Sequence, residues 1–147
     1  MKKFLLAFFF INIAGGVNPF MLAAEQKVTI VEPANREKVT SPVKVCMEVE
    51  DLIVEPKNRA SDNTAYDGKG HHHILLNSLP ADLSKPIGKD EIHLGDGSSC
   101  GTFELKPGRH VIISLFAYGN HVPYSPIISD KIIITVKKSD DAGSRKF

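Results

Sequence analysis

Three consecutive histidines, His71-His72-His73, follow Gly68-Lys69-Gly70 and open the apolar run Ile74-Leu75-Leu76. A neutral imidazole offers a ring nitrogen that suits Cu(II) and Zn(II), and near neutral pH most histidines are in that form. On a strand, successive side chains alternate between faces, so His71 and His73 share one face and His72 takes the other. Two imidazoles so placed are close enough to share one ion. A partner strand or loop must complete the shell, from His93, His110 or His121. His121 lies in Tyr118-Gly-Asn-His-Val-Pro-Tyr124, where Gly119 and Pro123, with Pro126 just beyond, give the loop a defined shape. His93 sits in Glu91-Ile-His-Leu-Gly95, and His110 directly follows a tight turn, which places it at the surface. The candidate metal ligands are therefore His71, His73, His121 and His93. Soft Cu(I) would favour thioether help, yet Met47 is the only methionine after residue 24.

The same residues admit a second chemistry. Buried imidazoles need partners, so the cluster can equally form a hydrogen-bonded network that knits loops to a sheet, with His72 and Asn120 among its members. The domain would then be structural or bind another protein. Hydrolysis at a metal would need an open coordination position and a general base, for which Glu91 and Asp67 are the candidates. The sequence has no Gly-x-Ser-x-Gly elbow, no His-Glu-x-x-His and no phosphate-cradling glycine loop. A non-catalytic protein is expected. Asp62, Asn63 and Asp67 lack the spacing and closing glutamate of a calcium loop.

The elements that must position these histidines begin after an unlike N-terminal piece. Lys2 and Lys3 precede the run Phe4 to Ala14, which breaks at Gly15-Gly16 and Asn18-Pro19 and ends in Leu22-Ala-Ala24. That is the order of a secretory signal, with cleavage expected after Ala24, and a continuous membrane span would need about 20 apolar residues. The chain of 147 residues carries 18 basic and 17 acidic side chains, so losing two lysines leaves 16 against 17 and a formal charge of −1. A nearly neutral protein without a basic stripe has no general grip on nucleic acid. The expected location is periplasmic or secreted, with no membrane span once the signal is removed.

Export makes a disulfide the expected state of Cys46 and Cys100. From Lys27 onward, β-branched runs alternate with Pro, Gly, Asn and Asp clusters, the pattern of an antiparallel sandwich. Strands are expected at Val28–Val31, Val43–Val49, His71–Asn77, Arg109–Tyr118 and Ile127–Lys137. Val43, Val45, Met47 and Val49 form an apolar face, which leaves Cys46 on the polar one and its bridge outside the core. Both faces of the histidine strand continue apolar, so it should be central and covered on both sides. Gly95-Asp-Gly-Ser-Ser99 suggests a hairpin between Leu94 and Phe103, Lys106–Arg109 another tight turn, and Pro80–Lys85 at most a single turn. About seven strands in about 120 residues is the size of an immunoglobulin-like β-sandwich. It would run over residues 25–137, with a polar connection from Glu55 to Lys69 and a frayed tail at 138–147.

In order along the chain, Gly70-His-His-His-Ile-Leu-Leu-Asn77, Leu79-Pro-Ala-Asp-Leu-Ser-Lys-Pro-Ile87, Ile92-His-Leu-Gly95, Leu105-Lys-Pro-Gly-Arg-His110 and Ala117-Tyr-Gly-Asn-His-Val-Pro123 resemble the DUF4399 family of exported bacterial domains. The likeness runs from about Gly68 to Val136. It supports the domain and its histidine motifs and implies no activity, since the family's function is unassigned. It also implies a histidine two residues before His93, where this chain has Glu91. A carboxylate there can coordinate zinc or accept an imidazole N–H.

Overall fold

The computed structural model describes residues 25–56, 68–88 and 92–138. The expected signal at 1–24, residues 57–67 of the polar connection with Asp62, Asn63 and Asp67, Glu91, and the tail from 139 lie outside the described residues. The described chain contains nine strands and no helix: β1 (Lys27–Glu32), β2 (Lys38–Val39), β3 (Val43–Glu50), β4 (Ile53–Val54), β5 (Lys69–Leu76), β6 (Ile92–His93), β7 (Cys100–Phe103), β8 (Gly108–Ala117) and β9 (Ser129–Val136). Each of the five strands expected from the sequence is present within about two residues of its expected ends.

The strands form two sheets, β1-β3-β7 and β2-β9-β8-β5-β4, with β6 added beside β5. With β1, β3, β5, β7, β8 and β9 in the places of strands A, B, C, E, F and G, the orders read A-B-E and G-F-C, as in an immunoglobulin-like sandwich. Nine are counted because β2, β4 and β6, of two residues each, add to six longer strands, against about seven expected. β2 pairs β9 and β4 pairs β5 in parallel, so the pairing is not wholly antiparallel.

Alternation builds the core. Val28 and Ile30 of β1, Val43, Val45 and Met47 of β3, and Ile132, Ile134 and Val136 of β9 point between the sheets, where Ile74, Ile112, Phe116 and Tyr124 meet them. Each fully buried aliphatic side chain of this kind contributes roughly 1.5–3 kcal/mol. A smaller cluster of Leu75, Ile87, Ile113, Leu115 and Ala117 lies on the outer face of the larger sheet. Ile87, from the segment after β5, covers it. Accordingly β5 is buried on both faces from Gly70 to Leu75.

The expected hairpin between Leu94 and Phe103 does not form. β6 pairs with β5 in the larger sheet, whereas β7 pairs with β3 in the smaller one. The glycine-rich segment does turn, with Gly97 N–H donating to the Leu94 carbonyl at 3.2 Å, but it carries the chain across the sandwich. Local turn chemistry fixes a reversal, and burial of the next strand decides which sheet it joins. Cys46 and Cys100 are bonded and directly opposite each other in β3 and β7. The bridge therefore staples neighbouring strands of one sheet, on the side away from the inter-sheet core.

Candidate metal centre

Three elements bring four imidazoles together on the outer face of the larger sheet. β5 supplies His71 and His73, opposite Ala117 and Leu115 of β8, so the floor beneath them is apolar. β6 supplies His93, which is paired with His73 across the ladder, and a direct cross-strand pair projects to the same face. The turn after β8 supplies His121, whose φ of 69° is in the left-handed region that few non-glycine residues adopt. That turn is held locally. His121 N–H donates to the Tyr118 carbonyl at 2.8 Å, Tyr118 N–H to the Val122 carbonyl at 3.0 Å, and Ile87 N–H to the His121 carbonyl at 2.9 Å. These three backbone hydrogen bonds hold the turn, and His121 with it, in place.

The six centroid separations among the four rings run from 4.6 to 5.4 Å. Four points with nearly equal separations are the corners of a tetrahedron. An edge of about 5 Å puts the centre about 3 Å from each centroid, so a ring nitrogen turned toward the centre would stand about 1 Å nearer, at the ~2.0–2.1 Å of a Zn–N bond. The ligand atoms all lie within 4.8 Å of one another. His73 Nε2 and His71 Nε2 are 3.0 Å apart. Tetrahedral N···N spacing is about 3.3 Å, so the His71–His73 pair is already near it, and a pair at the 4.8 Å limit would have to close by about 1.5 Å for all four to hold one ion.

His71 and His73 are fully buried, His121 is half-buried and His93 is exposed. The site thus has a dry inner pair and an outer pair facing solvent. Burial lowers the His73 pKa from 6.5 to about 2, with smaller contributions from His71, His93, His121 and His72. An imidazole so disfavoured as a cation stays neutral and keeps a lone pair for a ligand. Asp96, just beyond His93, has its carboxyl held low by the Ser98 hydroxyl and backbone N–H, with His93 adding a little.

The other sequence-predicted residues lie elsewhere. His72 points between the sheets against the Phe116 ring, at a centroid distance of 5.4 Å. Among the described residues neither of its ring nitrogens has a hydrogen-bond partner, and burial lowers its pKa to about 4. Asn120 Oδ1 accepts from Val122 N–H at 3.0 Å and so shapes the turn that carries His121. Neither residue joins the four rings. His110 Nε2 is 2.8 Å from the Lys106 carbonyl oxygen, in the turn before β8. Cys46 and Cys100, being bonded in the other sheet, are not thiolate ligands. Among the described residues no helix is long and apolar enough to cross a membrane.

Residues 45–137 match the family model for DUF4399, described as a domain of unknown function. No curated protein matches the chain. Among solved structures, an endo-beta-1,4-mannanase from Thermotoga petrophila aligns with 14% identity and a TM-score of 0.45. The alignment covers 78% of this chain and 20% of the mannanase, so the chain spans about a fifth of that protein's length.

Proposed function

Because the chain belongs to the DUF4399 family, whose description assigns no activity, we propose its function from the site itself: an exported, non-catalytic β-sandwich that binds one transition-metal ion, copper or zinc. The observation that carries this reading is the near-regular tetrahedron of His71, His73, His93 and His121. Four nitrogens fill a tetrahedral shell and leave no position for a substrate, which favours holding an ion over catalysis. Borderline imidazole ligands select Cu and Zn over Mg and Ca, which prefer oxygen. Export is supported by the order of residues 1–24 and by the Cys46–Cys100 bond, which persists in oxidising compartments.

A second reading has its own observation. The 3.0 Å contact between the His71 and His73 rings is a hydrogen bond when one Nε2 carries the proton, and a purely structural network would be built on it. Such a bond joins two rings and gives no reason for His93 and His121 to gather beside them, which favours the metal. Calorimetric titration of the tag-free mature chain with Zn(II) and Cu(II) separates the two. One saturable site tighter than micromolar, lost when both His71→Ala and His73→Ala are made, supports metal binding. Absence of such a site leaves the network.

A further inference from the structure

We infer that Gly95 is a positioning residue of the histidine site, glycine being required there because the His93 imidazole occupies the space a side chain would fill. A Cβ built on Gly95 would lie 2.0 Å from His93 Cε1, 2.5 Å from Nε2 and 2.9 Å from Nδ1. Real Cβ atoms do not approach other heavy atoms so closely. The three nearest atoms all belong to the ring itself, so one of the two groups has to leave.

The backbone gives no other reason for glycine at this position. Gly95 is a central residue of the turn closed by the Gly97 N–H to Leu94 carbonyl bond. The positive φ in this segment belongs to Gly97, at 84°, whereas Gly95 is not among the positive-φ residues. Ordinary turn positions accept alanine, serine or aspartate. What glycine supplies at 95 is room. His93 is at the end of a two-residue strand and exposed, so its ring is held toward β5 through its contacts with the other imidazoles rather than by burial. Folding the ring back over Gly95 aims it at His71, His73 and His121, with centroids 4.8, 5.0 and 4.6 Å away. Any side chain at 95 turns it outward and leaves three imidazoles.

This inference rests on the metal-binding reading for its consequence and on the ring geometry for its cause, and the test reads the two separately. In the metal-free mature protein, nuclear Overhauser contacts from the His93 ring to the His73 and His121 rings are measured in the wild type and in Gly95→Ala. The contacts should disappear in the variant; their persistence overturns the inference whether or not metal binds. With Co(II) as probe, Gly95→Ala and His93→Ala should each weaken binding by at least about tenfold and lose the intense visible bands of a tetrahedral ion. The double variant should be no worse than either single one, and additive losses also overturn the inference. Should Gly95→Ala fail to fold, the double variant, which has no ring to displace, is expected to fold; failure in both backgrounds assigns Gly95 to the backbone instead. If wild type binds no metal while the Overhauser contacts behave as stated, the proposed function fails and the role of Gly95 stands.

Discussion

Replacing His72 by leucine should make the metal-free protein more stable and less sensitive to acid. His72 is wholly buried between the sheets, and both ring nitrogens lack a hydrogen-bond partner among the described residues. An unsatisfied buried polar group costs roughly 1–3 kcal/mol, and a leucine of similar volume removes that cost, so stability at pH 7 should rise by about that amount. The acid effect follows from the lowered pKa, which burial brings to about 4 in the folded protein from the ordinary 6.5. Above pH 6.5 both states are neutral and the linkage is silent. As pH falls, the unfolded chain takes a proton that the folded core refuses, so stability falls by about 1.4 kcal/mol per pH unit until the folded pKa is reached. At pH 4.5 this amounts to about 2.5 kcal/mol from His72 alone. Urea denaturation followed by circular dichroism, with chelator present, gives the difference between variant and wild type at each pH. The advantage of His72→Leu should grow by about 2.5 kcal/mol from pH 7 to pH 4.5. A variant less stable at pH 7, or an advantage that does not change with pH, would refute the placement of a neutral, unpartnered imidazole in the core.

Single substitutions His71→Ala and His73→Ala should each weaken Zn(II) binding by about a hundredfold or more in calorimetry, since each removes a buried ligand, whereas His110→Ala, bonded in its own turn, should leave it unchanged. The Cys46–Cys100 bridge spans 54 positions, and a loop of that size is worth up to about 4 kcal/mol by loss of unfolded-chain entropy. The Cys46→Ala, Cys100→Ala variant should therefore unfold at lower urea while keeping its metal affinity, because the bridge lies in the opposite sheet. Saturating zinc at a hundred times Kd should stabilise the wild type by about 2.7 kcal/mol, and chelator should abolish that shift in a thermal melt. N-terminal sequencing of the protein recovered from an exporting host should begin at Glu25, and material beginning at Met1 would count against the signal.

How legible the site was depends on the range of each contact. The sharing of one face by His71 and His73 follows from a period of two, a local property that no tertiary contact can override once β5 forms. The same alternation correctly sets Cys46 outside the inter-sheet core, opposite in sense to Val45 and Met47. Convergence of His93 and His121 on that pair is a different matter. It depends on β6 pairing with β5, which has no local sequence cause, and on where the turn after β8, itself shaped locally by Asn120 and its backbone hydrogen bonds, lies against β5. The turn residues at 95–99 are readable as a reversal, yet they do not say that Phe103 belongs with Val43 in the other sheet. Strands as short as β2 and β4 carry too few residues for any period to show. Gly95 reads as one more turn glycine beside Gly97; only the position of the His93 ring distinguishes the two.

The central claim is that four imidazoles bind one ion, and X-ray absorption of the zinc-loaded, tag-free mature protein tests it most directly. The edge and fine structure should report four nitrogen neighbours at about 2.0–2.1 Å with the outer-shell scattering of imidazole rings. In His71→Ala, His73→Ala protein that signature should be absent. A zinc ion surrounded mainly by oxygen, or the same spectrum in wild type and double variant, would contradict the claim.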